Sequence, residues 1–254
     1  MLSYIGGKSR IAPKLIIPNI PNDIEVFIEV FGGMFWTFFS MDLTKYPNLK
    51  EVVYNDFNPL NYNLFQCLQN PERLLEEVNN IPCQQRDEFP TPDIYKEQFI
   101  RFQAEIFGTN FSVQAYDYVV AAKYAYVLAQ VFSGSKPEWV EHFLKITKVE
   151  NMDFQEVIQK YDSPSTYVYA DPPYWKTENY YNNHDFDTTD HERLADCLKD
   201  IKGKFSLSYY DFPQLHTWFP QIQYRWEKKE FAKAAAAKKG TKQNMGEELL
   251  IMNY

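Results

Sequence analysis

Five short apolar runs, each ending in polar residues, glycine or proline, recur along the chain with helical patterns between several of them. Such runs indicate buried strands, and strands that alternate with helices are typical of a doubly wound parallel sheet. The sequence therefore predicts an α/β fold. The five predicted strands are Glu25–Phe31, Glu51–Asp56, Lys145–Asn151, Thr166–Asp171 and Phe205–Asp211.

Two further runs, Ile222–Phe231 and Glu247–Tyr254, lie on either side of a basic segment near the end of the chain. They are typical of an antiparallel hairpin at the C-terminus. Asp190 is predicted as the N-cap of the last helix, because an acid at that position can accept from free backbone N–H groups. The predicted helices are Ser9–Ile17, Asn61–Val78, Ser112–Phe132 and Asp190–Ile201.

The region from Gln66 to Phe143 interrupts the alternation, because it is helical, aromatic and contains prolines but no convincing strand. We interpret it as a helical subdomain inserted into the sheet domain. The chain then divides into a sheet domain of residues 1–65 and 144–254 and an insertion of residues 66–143.

The composition excludes several classes of protein. No apolar run is long enough to span a bilayer, and the N-terminus lacks the apolar segment of a signal peptide. The three cysteines are far apart and the four histidines form no H-x-x-x-H pair, so no zinc motif is predicted. We expect a cytoplasmic protein with reduced thiols and no bound metal.

Charge is distributed unevenly along the chain. The net charge is −8, but residues 225–243 carry seven basic side chains and two acids, a local charge of +5. One interpretation is a solvated hairpin, and the other is a loop that contacts nucleic-acid phosphates. In the second case the DNA contacts would be Lys228, Lys229, Lys238, Lys239 and Lys242. Four alanines at 234–237 interrupt this charged stretch, and no role is inferred for them.

Polar and glycine residues end the predicted strands where ligands of open α/β sheets bind. Gly32 and Gly33 follow the first strand and allow a tight turn with close approach of a ligand to the backbone. Asp56 ends the second strand, where an acid commonly binds ribose hydroxyls. Each feature alone is also common in ordinary turns. Together they favour a ligand that contains adenosine.

The stretch Asp171-Pro172-Pro173-Tyr174 follows the fourth predicted strand. Prolines cannot donate to a sheet ladder, so the pair ends the strand and fixes the backbone. The Asp171 carboxylate and the backbone carbonyls then form a rigid pocket of acceptors, which suits an amino group that donates both of its hydrogens. Tyr174 can stack on a planar base. The alternative is a simple turn that ends the strand. It does not explain why Asp171 and Tyr174 lie on either side of the two prolines.

DPPY at 171–174 resembles the catalytic motif of the DNA adenine-N6 methyltransferases that use S-adenosylmethionine. EVFGG at 29–33 resembles the cofactor loop of that family, and LSYIGGKSR at 2–10 is similar to its N-terminal cofactor motif. The order of the motifs, with a long insertion before DPPY, resembles the alpha group. The resemblance implies a Rossmann-like class I methyltransferase sheet, with the insertion as the target-recognition domain.

The resemblance also implies roles for individual residues. Asp171 and the carbonyl of Pro172 would accept hydrogen bonds from the adenine amine, and Tyr174 would stack on the base. Lys8 would lie near the methionine carboxylate of the cofactor and Asp56 on its ribose, while the acid of the NMDF stretch would face the cofactor adenine. The full set of implied cofactor contacts is Tyr4, Lys8, Phe31, Gly33, Asp56, Asp153 and Asp171.

The implied activity is methyl transfer from S-adenosylmethionine to the N6 amine of an adenine flipped out of double-stranded DNA at a specific site, without a metal. We expect a monomer encoded by a bacterium or a phage. Its partner in the same system would be a restriction endonuclease.

Two alternatives stay open at the level of sequence. One is a methyltransferase that acts on another amine, in cytosine, RNA or protein glutamine, although such relatives more often carry Ser or Asn where this chain has Asp171. The other is a degenerate protein that binds DNA or cofactor without turnover. Phe35 supports the second, because it stands where the cofactor loop of the family usually has a further glycine. Its side chain either crowds the cofactor and weakens its binding or turns into the core.

Overall fold

The structure, a computed structural model, describes residues 8–82, 91–107, 116–129, 143, 145–175, 186–232 and 245–254. Its strands are β1 (Val26–Glu29), β2 (Glu51–Asn55), β3 (Thr147–Glu150), β4 (Thr166–Ala170), β5 (Lys204–Tyr209), β6 (Arg225–Ala232) and β7 (Met245–Met252). They form one seven-stranded sheet in the order β3-β2-β1-β4-β5-β7-β6. Strands β1 to β5 pair in parallel, whereas β7 is antiparallel to β5 and β6. The predicted parallel sheet and C-terminal hairpin are confirmed.

Strand β4 lies at the centre of the sheet and is buried at all five positions. Its sequence TYVYA suits this place, because β-branched and aromatic side chains pack well on both faces of a buried strand. On one face, Phe27 and Tyr167 belong to one apolar core; on the other, Ile28 and Val168 belong to a second. The strand order reverses between β1 and β4, so the carboxyl ends of these two strands border the crevice where ligands of such sheets bind.

The described helices are α1 (Trp36–Phe39), α2 (Pro59–Leu68), α3 (Pro71–Asn79), α4 (Pro92–Phe107), α5 (Tyr118–Ala129), α6 (Phe154–Tyr161), α7 (Thr188–Lys199) and α8 (Pro213–Trp218). The single helix predicted over Asn61–Val78 is wrong, because the chain forms α2 and α3 there. The side chain of Asn70 accepts from the backbone N–H of Arg73 and caps α3, and Pro71 occupies its first position.

Two further predictions at helix starts need correction. Asp187, not Asp190, is the N-cap of α7: its carboxylate accepts from the backbone N–H groups of Thr189 and Asp190. The carboxylate of Asp190 in turn accepts from the backbone N–H of Asp187, which completes a capping box. The helix predicted over Ser9–Ile17 is a short π-helical turn, Ala12–Ile16, followed by a 3₁₀ turn.

The predicted insertion contributes α3, α4 and α5, and its described residues from 71 to 129 contain no strand. Within the predicted Ser112–Phe132 helix the structure describes residues 116–129, of which α5 covers Tyr118–Ala129. Its residues Tyr124 and Tyr126 are buried in the apolar core that also includes Phe27 and Val52 of the sheet. Helix α2 runs through residue 66, so the boundary between the sheet domain and the insertion stays a prediction.

No helix in the described part of the chain is long and apolar enough to cross a membrane. The same residues contain no group of three or more side chains that could hold a metal ion. Cys67 and Cys197 are free thiols, and Cys83 lies outside the described residues.

Candidate functional site

The DPPY segment follows β4 directly and lies at the crevice between β1 and β4. Pro172, Pro173 and Tyr174 are buried, whereas Asp171 keeps 17% of its side chain exposed. The prolines fix their own φ angles, so the carbonyls of this segment are held rigidly at the end of the strand.

A buried cluster of polar side chains surrounds Asp171. The ammonium of Lys8 lies 3.0 Å from Asp171 Oδ1 and 2.9 Å from Glu248 Oε1. It also donates to the hydroxyl oxygen of Tyr174 at 2.6 Å. The Tyr174 hydroxyl in turn donates to Glu248 Oε1. The N-terminal segment, the end of β4 and strand β7 therefore meet at one point.

Asp171 Oδ1 has an unusual environment. It is buried and accepts no hydrogen bond from any residue that the structure describes. Its charge is compensated by the Lys8 ammonium at 3.0 Å, an ion pair without a hydrogen bond to this oxygen. A buried acceptor that makes no hydrogen bond costs up to about 1–3 kcal/mol. This oxygen is therefore an acceptor that a ligand N–H group can satisfy.

Opposing charges set the ionisation of this cluster. Burial raises the pKa of Asp171, Lys8 lowers it and Glu248 raises it, and the pKa ends above its ordinary value. Burial lowers the pKa of Lys8, but the two carboxylates outweigh this effect and the pKa ends above its ordinary value. Lys8 therefore stays charged at neutral pH and can compensate one of its two carboxylate neighbours.

The ring of Tyr174 is covered on more than one side. The Lys8 ammonium lies 4.8 Å from the ring centroid, and the ring of Tyr210 approaches it edge-on at 4.4 Å. Burial raises the pKa of Tyr174 well above its ordinary value, so the hydroxyl stays protonated.

Two positions of the loop after β1, Gly32 and Gly33, favour glycine for different reasons. A Cβ atom at Gly32 would lie 2.3 Å from a ring carbon of Tyr54, so this glycine is needed for close approach of that ring. Gly33 has a φ of 49°, which favours glycine. Its N–H donates to Asp56 Oδ2 at 2.7 Å, so the acid at the end of β2 holds the loop in place.

Phe35 adopts a φ of 57°, in the left-handed region for which a glycine at this position would be suited. Its ring is fully buried. The ring centroid lies 4.8 Å from that of Phe38, 5.0 Å from that of Tyr54 and 5.9 Å from that of Phe65. Of the two outcomes that the sequence left open, the structure has the second: the side chain turns into the core.

The carboxylate of Asp56 is largely occupied by the protein. Oδ1 accepts from the backbone N–H of Asn58 at 2.8 Å, and Oδ2 accepts from Gly33 and from the side chain of Asn61 at 2.9 Å. Burial raises the pKa of Asp56, with these three bonds acting in the opposite direction. Each carboxylate oxygen can accept two hydrogen bonds. Among the described residues Oδ1 accepts only the bond from Asn58, so its second acceptor site is not used by them.

Asp153 lies at the start of α6 and is bound to Arg193. The guanidinium donates to both carboxylate oxygens at 2.8 Å, and Asp153 Oδ1 also caps α6 at Gln155. Burial acts to raise the pKa of Asp153, but the hydrogen bonds from Arg193 and Gln155 outweigh it and lower the pKa. Next to this pair, the ring of Phe31 lies 5.8 Å from that of Phe154.

Glu29 ends β1 and is almost completely buried. One carboxylate oxygen accepts from the backbone N–H of Phe38 at 3.2 Å. Burial raises the pKa of Glu29 to about 8, so the side chain is mostly protonated at neutral pH.

The sequence profile of one family matches residues 4–135 and 119–233, which together cover most of the chain. This is the D12 class of N6 adenine-specific DNA methyltransferases. The chain belongs to this family. The prediction of a site-specific adenine DNA methyltransferase, made from the DPPY and glycine-loop motifs, is confirmed.

Individual relatives of this methyltransferase are distant in sequence. Type II methyltransferase M.MjaIII of Methanocaldococcus jannaschii is 26% identical over 291 aligned positions, which cover 100% of this chain and 98% of the relative. Modification methylase StsI of Streptococcus sanguinis is 23% identical over 82% of this chain, which spans only 34% of that protein. A solved rRNA methyltransferase, aviRa from Streptomyces viridochromogenes, shares 13% identity at a TM-score of 0.38, over 99% of this chain and 85% of its own.

Membership in a methyltransferase family implies use of S-adenosylmethionine.

The basic hairpin of the methyltransferase is only partly described. Lys228 lies 3.2 Å from Glu247 and 3.7 Å from Asp211. Lys229 is exposed, has no ion-pair partner among the described residues and lies opposite Glu248 in the β6–β7 register. Other predicted site residues fall outside the described ranges, namely Tyr4, Lys238, Lys239 and Lys242, as does the alanine run at 234–237.

Sequence reasoning missed two residues of this site. The sequence pattern places Glu248 only in the last strand and Arg193 only in a helix. A signal for Glu248 was present, because it shares a strand face with Leu250 and Met252, where an acid is out of place. No local signal pairs Arg193 with Asp153, since the two lie forty positions apart.

Proposed function

We propose that this methyltransferase binds a flipped-out adenine of double-stranded DNA in the DPPY pocket and transfers the methyl group of S-adenosylmethionine to its N6 amine. The observation that supports this most directly is the buried Asp171 Oδ1, which accepts no hydrogen bond from the described residues. Next to it, Pro172 offers a backbone carbonyl on a rigid segment. Two acceptors side by side match the two hydrogens of one amine.

The pocket would act on the amine in a simple way. An exocyclic amine is a poor nucleophile because its lone pair is conjugated with the ring. Acceptors on both hydrogens favour a tetrahedral nitrogen and stabilise the positive charge that grows during attack. We propose that Asp171 and the Pro172 carbonyl supply these acceptors, while Tyr174 stacks on the base. A base inside a duplex cannot reach this buried site, so it must be flipped out.

The residues present fit S-adenosylmethionine. Asp56 Oδ1 keeps an acceptor site that suits a ribose hydroxyl, and the Gly33 turn leaves backbone accessible to a ligand. Phe31 and Asp153, close to the turn, would meet the cofactor adenine, with Asp153 sharing its carboxylate with Arg193. When bound, this cofactor supplies a methyl group already activated by its sulfonium. Positioning in line with the amine then accounts for much of the remaining acceleration.

The present contacts of Lys8 determine how it can bind the cofactor. All three of its neighbours, Asp171, Glu248 and Tyr174, lie within 3.0 Å of the ammonium. An ammonium has three donors, and because Lys8 makes no hydrogen bond to Asp171 Oδ1, one donor remains for the methionine carboxylate. We propose that Lys8 turns this donor to the cofactor, so that Asp171 stays open to the adenine amine. Tyr4, in the same N-terminal motif, would also hold the cofactor.

DNA would be held by the insertion and the basic hairpin. We propose residues 66–143 as the target-recognition domain and Lys228, Lys229, Lys238, Lys239 and Lys242 as phosphate contacts. Lys229 is the best supported of the described lysines, because it is exposed and lies opposite Glu248 of the pocket. We further propose a cytoplasmic monomer that works beside a restriction endonuclease.

Purified protein, labelled S-adenosylmethionine and unmethylated DNA of mixed sequence test this function. We expect label in N6-methyladenine after digestion to nucleosides, and loss of about 100-fold or more in the Asp171→Ala variant because one of the two acceptors is removed. Asp196→Asn is the matched control, since Asp196 is exposed and pairs only with Lys199 among the described residues. Label in N4-methylcytosine, or none in adenine, would contradict the proposal.

A further inference from the structure

Glu248 is a buried carboxylate on a strand face that is otherwise apolar. Only 2% of the residue is exposed, and its neighbours on that face of β7 are Leu250 and Met252. Burying a carboxylate costs several kcal/mol unless partners compensate its charge. The contacts of Glu248 therefore indicate what it does for the site.

Both contacts of Glu248 go to the groups that flank the acceptor Asp171. Its Oε1 atom lies 2.9 Å from the Lys8 ammonium and accepts from the Tyr174 hydroxyl. Lys8 is thus held between two carboxylates at nearly equal distances, 2.9 Å from Glu248 and 3.0 Å from Asp171. Of these two carboxylates, Asp171 is the one with an oxygen, Oδ1, that accepts no hydrogen bond from the described residues.

We propose that Glu248 is a positioning residue for methyl transfer: it holds the Lys8 ammonium and the Tyr174 hydroxyl, and so keeps Asp171 Oδ1 open to the adenine amine. This inference rests on the proposed function of the DPPY pocket. Without Glu248, Asp171 would be the remaining carboxylate within reach of Lys8. The lysine would turn its protons to Oδ1 and compete with the amine.

Glu248 also fixes the stacking ring. Tyr174 is held at its backbone by the preceding prolines and at its hydroxyl by Glu248 and Lys8. These contacts fix the position of the ring axis, which matters because stacking on the base places the amine against Asp171. Small errors in such placement can cost about 100-fold in rate.

The charge of Glu248 gives the proposal a distinctive signature. Glu248 raises the pKa of Asp171, whereas Lys8 lowers it. Removing this charge both ends the repulsion and commits Lys8 to Asp171, so both effects lower the pKa of Asp171. Among the described residues, the charged and titratable groups that face Asp171 are Lys8, Glu29, Tyr169, Tyr174, Tyr210 and Glu248.

The Glu248→Gln variant tests this role, with Glu247→Gln, an exposed carboxylate next to it on β7, as its matched control. In single-turnover methyl transfer to DNA, we expect Glu248→Gln to lose about 10- to 100-fold in rate. We also expect the acidic limb of its pH profile to move to lower pH. Glu247→Gln should keep the wild-type rate and limb. A Glu248→Gln rate within twofold of wild type, or an unmoved limb, overturns the proposal.

Two further measurements separate positioning from simple stability. A crystal structure of Glu248→Gln should show the Lys8 ammonium donating to Asp171 Oδ1, and an unchanged Lys8 position refutes the proposed competition. Adding Lys8→Met to Glu248→Gln should cause less than the sum of the two single losses, because both act through one contact; additive losses also refute it. If Glu248→Gln fails to fold, Glu248→Asp keeps the charge but cannot reach both partners. It should then be slow, and a wild-type rate overturns the proposal.

The wild-type activity distinguishes a failure of the proposed function from a failure of the proposed role of Glu248. A wild-type protein that methylates no adenine removes the premise that the DPPY pocket is an active site. An active wild type with an unaffected Glu248→Gln variant removes only the role of Glu248.

Discussion

Phe35 combines a buried aromatic ring with a backbone conformation that favours glycine, and the two effects can be separated by substitution. The ring is fully buried against Phe38, Tyr54 and Phe65, while its φ of 57° lies in the left-handed region. Phe35→Ala removes the ring but keeps a Cβ atom in the unfavourable conformation. Phe35→Gly removes both.

The magnitudes follow from these two terms. Truncating a buried Phe to Ala costs about 3–5 kcal/mol of unfolding free energy, because contacts are lost and a cavity remains. A left-handed conformation costs a residue with a Cβ about 1–2 kcal/mol more than it costs glycine. We therefore expect Phe35→Ala to lose about 3–5 kcal/mol and Phe35→Gly to lose about 1 kcal/mol less.

Phe38 is the matched control. Its ring is also buried and stacks on Phe35, but Phe38 lies within helix α1. In a helix, glycine is less favourable than alanine by about 0.5–1 kcal/mol. The order of the two variants should therefore reverse: Phe38→Ala should be more stable than Phe38→Gly.

Urea unfolding of the four variants, followed by circular dichroism and tryptophan fluorescence, measures these differences provided that the m-values agree. If Phe35→Ala is at least as stable as Phe35→Gly, the left-handed conformation is wrong. If both Phe35 variants lie within about 0.5 kcal/mol of wild type, the ring is not part of the core.

Two other predictions concern charge. The pKa of Glu29 is raised by burial from 4.5 to about 8 in the folded protein, so its contribution to stability is complete below pH 4.5 and is lost as the pH rises through 8. Glu29→Gln should therefore gain about 3 kcal/mol relative to wild type between pH 5 and pH 8 in urea unfolding, and a constant difference would contradict burial of this carboxyl. For DNA binding, Lys229→Ala should reduce the slope of log K against log salt by about 0.9 if Lys229 contacts a phosphate. Lys228→Ala should change it less, because Glu247 lies 3.2 Å from that ammonium; equal effects would argue against the assigned contact.

Most strands of the fold were predictable from sequence because their signals are local. The TYVYA run of β4 needs only its own side chains to be recognised as a buried strand, and Pro172 and Pro173 mark its end. Helix boundaries were harder. The stretch DTTD at 187–190 offers two acids that can cap, and the local sequence does not decide between them.

The site was predictable where one motif carries it and not where distant residues meet. Asp171 and Tyr174 stand together in DPPY, so their proximity is a property of the sequence. Glu248 lies 74 positions from Tyr174, and only the strand order of the sheet brings it to the pocket. The direction of the Phe35 side chain likewise depends on rings from other elements.

The most direct test of adenine methylation in the DPPY pocket is sequencing of DNA from cells that express the protein and lack other adenine methylation. Wild-type protein should leave N6-methyladenine at one recurring sequence, and Asp171→Ala, folded and at equal abundance, should leave none. The same modification with Asp171→Ala, or its absence with active levels of wild-type protein, would contradict the assignment of this pocket.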